Sequence, residues 1–234
     1  MALPKIDTPK YQLKLPSTGE KIDYRPFLVN EQKIVMMAQE SKDEKQMLSA
    51  VGDLVQSCTF NKIDARNSPT FDIEYIFLKI RSKSVGETVD LNITCPDDEI
   101  TKVPVKIKLD DIQLMTHENH KTEIDITDTI KLHLRYPLLS DMEGVDSKNV
   151  IDTPFKILSK CIDSIHYGDD VYQRIDISDK EIEGFIDQLT GEQFTEIMEF
   201  FNTMPKLRHI IEVTNPNTKV KSEVVLEGLQ NFLG

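Results

Sequence analysis

Between residues 44 and 58 the apolar positions Met47, Leu48, Val51, Leu54, Val55 and Cys58 recur every three or four residues. That 3.6-residue period puts them on one stripe and predicts a helix packed against a core. Ser41 with Glu44 has capping-box spacing and marks its start. Upstream, residues 15–41 read as a turn, an extended arm and a helix. Pro16 and Gly19 suit a tight turn, because Pro fixes φ and Gly accepts positive φ. A short strand is expected at residues 21–24. Pro26 keeps Arg25 out of helical geometry, so the chain stays extended until Asn30, the expected N-cap. Residues 71–84 (FDIEYIFLKIRSKS) fit a strand through Phe71, Ile73 and Tyr75, or a helix through Ile73, Ile76, Phe77 and Ile80. Helix is the better reading: the run is long for a strand, and Lys79, Arg81 and Lys83 suit the negative end of a helix dipole.

Val85 and Gly86 end that helix, and the pattern then changes to alternation. TVDLNITC and VPVKIKL flank a turn at residues 96–99 and predict a hairpin. Residues 121–126 and 129–136 predict a second pair around Asp128, with Leu132 and Leu134 inward. A polar linker, residues 140–149, leads to a helix opened by Pro154, with Phe155, Leu158, Cys161, Ile162 and Ile165 on one face. Ser178 with Glu181 and Thr190 with Gln193 are capping boxes that predict a helical hairpin ended by Pro205. Residues 207–214 and 219–226 flank Asn215-Pro216-Asn217-Thr218 as a last hairpin before a short terminal helix, LEGLQNFLG. Residues 93–114 and 213–233 share strand, Thr-x-Pro turn, strand and helical tail, which either records a duplication or reflects common hairpin grammar. The expected class is α+β: helices around a β-rich middle module, then a helical hairpin, a β-hairpin and a terminal helix. The expected divisions are residues 1–84, 85–140 and 150–234, with one continuous domain as the alternative.

Charge narrows the partners. Lys plus Arg number 28 against 40 Asp plus Glu, a net of −12, and nine acids between Asp170 and Glu199 face only Arg174 and Lys180. A polyanion is repelled by such a surface, so proteins rather than nucleic acid are expected as partners. Cys58, Cys95 and Cys161 are far apart and read as reduced thiols, Cys58 and Cys161 as small hydrophobes on helix faces. The start of the chain has no apolar export segment, and no run is long enough to span a membrane.

Chemistry is sparse. Cys95 with Asp97, Asp98, His117 and His120 lacks the paired-knuckle spacing of a structural zinc site. No metal or cofactor is expected, and His117 and His120 read as a solvated loop. Phosphate-loop, dinucleotide, nucleophile-elbow and zincin motifs lack their minimal residues, so no catalytic residue is proposed and an enzyme is not expected. The acid pairs Asp97-Asp98, Asp110-Asp111 and Asp169-Asp170 read as solvated surface. Phe200, Phe201, Met204 and Leu207, like Met36, Met37 and Met47, read as core rather than as an exposed adaptable surface.

Several segments together resemble a known family. They are YQLKLPSTGEKIDYRPFLVNEQKIVMMAQES, IEYIFLKIRSKSVGE, the Cys95-Pro96 turn, MPKLRH and VVLEGLQNFLG. Across the chain they are similar to the baseplate hub proteins of T-even-type tailed bacteriophages. The resemblance implies a late myovirus tail protein in the host bacterial cytoplasm, which enters the baseplate hub or assists its assembly as a chaperone absent from the virion. It also implies contacts with other hub or tape-measure proteins. The resemblance implies that the two hairpin turns can carry paired cysteines; this chain keeps only Cys95, and no zinc site is carried over. A degenerate zinc-ribbon-like nucleic-acid-binding protein is the rival of another class. Arg25, Phe27 and Phe232 are the expected partner contacts, since Arg and aromatic residues anchor interfaces. The alternative for the first two is that Phe27 staples the first helix and Arg25 caps a carbonyl.

Overall fold

The computed structural model describes residues 6–228 apart from 42, 144, 146–148 and 150. In chain order the elements are β1 (Tyr11–Lys14), β2 (Lys21–Tyr24), α1 (Val29–Ser41), α2 (Glu44–Cys58), α3 (Thr70–Val85), β3 (Thr88–Thr94), β4 (Lys102–Lys108) and β5 (Gln113–Met115). Next come β6 (Glu123–Asp125), β7 (Ile130–Leu134), α4 (Asp152–Cys161), β8 (Ile162–Tyr167), β9 (Asp170–Gln173), α5 (Asp179–Ile186), α6 (Gly191–Thr203), β10 (Lys206–Thr214) and β11 (Lys221–Glu227). The class is α+β. The chain divides into two compact units, one of Met1–Met115 with Lys206–Gly234 and one of Thr116–Pro205.

In the first unit α2 packs against α1 and α3. Val51, Leu54, Val55 and Cys58 of the sequence stripe are buried, and α3 buries Phe71, Ile73, Ile76, Phe77, Leu78 and Ile80 around most of its circumference. A helix buried on more than one side has no single apolar stripe, which is why its sequence also fits a strand. Gly86, at φ +119°, ends it in a backbone region that side-chain-bearing residues avoid. Beyond it, β3 and β4 form one antiparallel hairpin, and β5, β10 and β11 form a sheet in the order β11-β10-β5. Leu78 joins Val89, Ile107, Leu109, Leu207 and Leu226 in a shared core.

Three hairpins of this unit turn in the same way. In each, the residue before a proline is buried: Leu15, Cys95 and Asn215. The third residue after each proline takes positive φ, Gly19 at +74°, Glu99 at +55° and Lys219 at +65°. Its N–H donates to the carbonyl of the residue before the proline, at 2.8, 2.9 and 2.9 Å. Proline sets the φ that opens the turn, and the left-handed residue closes it. The second and third turns clasp each other. Asn215 Nδ2 donates to the Asp97 carboxylate at 3.1 Å and to Asp98 Oδ2 at 2.9 Å. Thr218 Oγ1 also donates to Asp97, and Asn217 Nδ2 to Thr101 Oγ1 at 3.0 Å. Asn215 Oδ1 accepts the Asn217 N–H at 2.9 Å, so the buried amide is used on both sides.

The second unit is an antiparallel sheet in the order β6-β7-β8-β9, with α4, α5 and α6 supplying the rest of its core. Ile124 pairs with Leu132 and Leu132 with Ile165 across the strands, and the same core takes in Leu158, Ile182, Ile197 and Phe200. Both expected capping boxes form, at Ser178 with Glu181 and at Thr190 with Gln193.

Four local expectations are corrected. Helix α1 begins at Val29, one residue ahead of Asn30, because the Glu31 carboxylate reaches back to the Leu28 N–H at 2.6 Å. The N-cap of α2 is Asp43, which accepts from the N–H groups of Lys45 and Gln46, while Ser41 ends α1 and donates to the Ala38 carbonyl. Ile162 and Ile165 lie in β8 rather than on α4, where pairing with β7 claims their β-branched side chains. His120 is tucked in: Nδ1 lies 3.0 Å from Thr203 Oγ1, and the ring packs between Tyr136 and Phe200. Of the expected terminal helix, residues 226–234, Leu226 and Glu227 belong to β11 instead, and residues 229–234 lie outside the described residues.

Asn215→Ala leaves the clasp carboxylates without their shared donor and should lower stability by about 1–3 kcal/mol, read as a shifted denaturant midpoint. Burial, with His117 adding to it, depresses the His120 pKa below the ordinary value. The neutral ring therefore stabilises the fold above about pH 6.5, and that contribution is lost as pH falls through 6.5 toward the lower folded value. Melting temperatures at pH 7 and pH 5 should differ by more in the native protein than in His120→Phe.

Candidate interaction surface

The start of the arm that leaves β2 is anchored by the Arg25 side chain. Arg25 Nη2 donates to Glu31 Oε1 at 2.7 Å and Nη1 to Glu31 Oε2 at 2.8 Å. The same guanidinium donates to Ser57 Oγ at 2.9 Å and to the Pro26 carbonyl at 3.0 Å. Its main-chain N–H donates to the carbonyl of Cys58, the last residue of α2, at 3.0 Å. Arg25 and Glu31 keep only 12% of their side-chain surface. Arg25 thus caps a carbonyl and ties hairpin, arm, α1 and α2 together. Burial pushes the Glu31 pKa up, but hydrogen bonds from Arg25, the Leu28 N–H and Ser57 outweigh it and bring the carboxyl down to about 2. Burial, and then the Glu31 charge, push the Cys58 thiol up to about 12, so it is an inert hydrophobe at neutral pH.

The second unit repeats this construction. Arg135 leaves β7, donates its main-chain N–H to the carbonyl of Cys161 at 2.9 Å, and donates its guanidinium to the Tyr136 carbonyl at 3.1 Å. It holds Asp141 through both oxygens at 2.6 and 3.2 Å, and Asp141 accepts the Leu138 N–H at 2.8 Å. Cys161 ends α4 as Cys58 ends α2, and burial likewise pushes its thiol up to about 12. The shared spacing is Arg-x-x-Leu-x-x-Glu/Asp, at residues 25–31 and 135–141. The spacing is hard to notice in the sequence because its cysteine partner lies at a different distance in each copy.

The two clamps differ in the segment that carries the acid. Beyond Arg135 the acid sits in a short 3-10 turn, Leu139–Met142, whereas beyond Arg25 it sits in the thirteen-residue α1. Val35 and Ala38 of α1 are buried. Away from them Val29 is 83% exposed, Met37 61% and Met36 54%, and Ile34, on the flank beside Ala38, is 54% exposed. Met36 and Met37 therefore face solvent instead of the expected core, while Phe200 and Leu207 do lie in cores. Phe27 is half-buried at the foot of α1, its N–H donating to Ser84 Oγ at 3.0 Å. Phe232 lies outside the described residues.

The remaining chemical candidates are otherwise engaged. Asp97 and Asp98 belong to the clasp, and their hydrogen bonds lower both pKa values. Asp110 pairs with Lys79 at 2.9 Å. Cys95 is buried, and burial, with Asp97 and Asp98 nearby, raises its pKa. Among the described residues no three His, Cys, Asp or Glu side chains form a metal-ligand group, and no helix is long and apolar enough to cross a membrane.

Removing Arg25 orphans a largely buried carboxylate, so Arg25→Ala should cost about 2–4 kcal/mol. Arg25→Lys should recover little of that, because an ammonium cannot make the forked pair. Since the folded Glu31 value lies below the unfolded one, the pair stabilises fully above about pH 4.3 and fades as pH falls toward 2. Stability measured against pH should therefore show a smaller acid-side loss in Arg25→Ala than in the native protein.

The chain matches the family described as T4 bacteriophage base plate protein over residues 8–234. Searches of curated proteins and of solved structures return no match. The match covers nearly the whole chain, including both clamps and all three proline turns, and the chain belongs to the T4 bacteriophage base plate protein family.

Proposed function

We propose that the protein is a non-enzymatic component or assembly factor of the baseplate hub, working through contacts with other hub or tape-measure proteins. The observation that carries this reading is the outward apolar side of α1. The second unit closes the same clamp with a single short turn, so the clamp does not require a helix of this length. Exposed Val29, Met36 and Met37, with Ile34 on the flank, gain by being covered, since burial of apolar surface is the main favourable term in association. Methionine suits such a surface because its unbranched chain adapts to a partner's shape. In this reading Arg25 and Phe27 act by setting where α1 begins. Of the two hairpin turns that motivate a nucleic-acid alternative, the first carries Asp97 and Asp98, charges that repel phosphate.

The test replaces Met36 and Met37 together with glutamate in the infecting phage. Both are exposed, so folding stability should change by only about 0.5 kcal/mol each, while baseplate formation fails. Mass spectrometry of purified native particles separates the two roles: stoichiometric protein marks a hub component, and protein found only in infected lysate marks an assembly factor. Normal particle yield from the double variant removes α1 as the contact surface.

A further inference from the structure

The second unit carries a different surface, and its properties do not depend on the hub reading. Strand β9 ends the sheet order β6-β7-β8-β9, and all four of its residues are exposed. No other strand among the described residues pairs with its outer edge. Beside it lies a groove of about 340 Å³. The floor is the core-side face of the sheet beside α5: Ile130 pairs with Tyr167 and Ile165 with Tyr172 across the strands. Ile177 and Phe185 line the groove with them, and Asp176 and Glu181 add carboxylates. Tyr167 and Tyr172 are 54% and 48% exposed, a large aromatic surface left open to water.

We propose that this edge and groove receive an extended segment of a protein partner by strand addition, with an aromatic or aliphatic residue in the groove and Lys or Arg two residues to either side. An open strand edge supplies main-chain donors and acceptors for an added strand, and a side-chain pocket beside it supplies selectivity. Residues two apart on a strand share a face, so an anchor in the groove brings its i±2 neighbours toward the acids there. Asp170 lies on that face as well, since it pairs with Tyr167 and is two residues from Tyr172. Arg174 is occupied by the Ile177 carbonyl and Asp179, which leaves the acids dominant. A second copy of this chain is a poor occupant, because its own β9 would bring Asp170, Asp176 and Glu181 against the same acids.

The probe is a capped heptapeptide, Thr-Lys-Thr-Phe-Thr-Lys-Thr, titrated into the full-length protein and monitored by fluorescence anisotropy and by amide hydrogen exchange. The expected result is saturable binding with slowed exchange in β9. A version with Glu for Lys should bind about tenfold more weakly, as should one with Pro for the two Thr flanking Phe, which cannot complete the ladder. Tyr172→Ser should weaken binding by about tenfold through loss of the aromatic floor. Asp176→Lys, an exposed change that leaves the fold intact by circular dichroism, should do the same. The proposal is overturned by absence of saturation up to about 1 mM, a bound of about −4 kcal/mol, or by equal binding of the Glu or Pro peptide. It is also overturned if the protein alone is a dimer that Tyr172→Ser converts to monomer.

Discussion

An arginine at the exit of a β-hairpin, gripping a carboxylate six residues further on, organises each unit. The pair does three things at once. The arginine main chain satisfies the last carbonyl of a helix, and its positive head lies by the negative end of that helix. The carboxylate takes the first orphan N–H of the next segment. The fork between them sets the direction of the chain out of the hairpin. Arg25 with Glu31 is nearly sequestered from water, whereas Arg135 with Asp141 leaves the arginine side chain 32% exposed. Neither clamp can lose one partner cheaply, because a charge left alone in a buried place costs more than the intact pair gains.

A second constraint acts on the first unit. Strand β10 pairs with β5 at Met115 and Lys206, so the chain leaves this unit and re-enters it at adjacent positions. Closing an excursion of ~90 residues costs about 4 kcal/mol of chain entropy beyond a constant. The shared core of Leu207, Ile211, Val213 and Leu226 with Leu78, Val89 and Ile107 offsets it. The Asn215 clasp adds direction to that burial by fixing which turn meets which.

The candidate functional surfaces are the places where apolar residues are not used for folding. Helix α1 has more apolar positions than its contacts with α2 consume, and the β8–β9 hairpin leaves Tyr167 and Tyr172 about half exposed on its core-side face. A helix with apolar residues on both sides has no clean stripe, so VNEQKIVMMAQES says only that something covers it, not which side is inside. The buried methionines expected from the pattern became exposed ones for that reason. Tyr167 and Tyr172 escaped notice because Ile162 and Ile165 also fit helical spacing from Leu158, which hid the strand they belong to.

The sequence alone determined the α+β class, the proline turns, the paired capping boxes, the inward faces of α2 and β7, and the lack of a catalytic motif. Each is settled by residues close together in the chain, where φ preference, period and cap geometry act locally. The echo between the second and third proline turns was also legible, though not the first turn's membership or the clasp. Only the tertiary structure decided which helix-end carbonyl Arg25 and Arg135 each cap, and that β10 returns to β5. Those choices depend on partners up to about a hundred residues away, and no local pattern encodes them, because charge and hydrogen-bonding groups find each other only after the cores have formed.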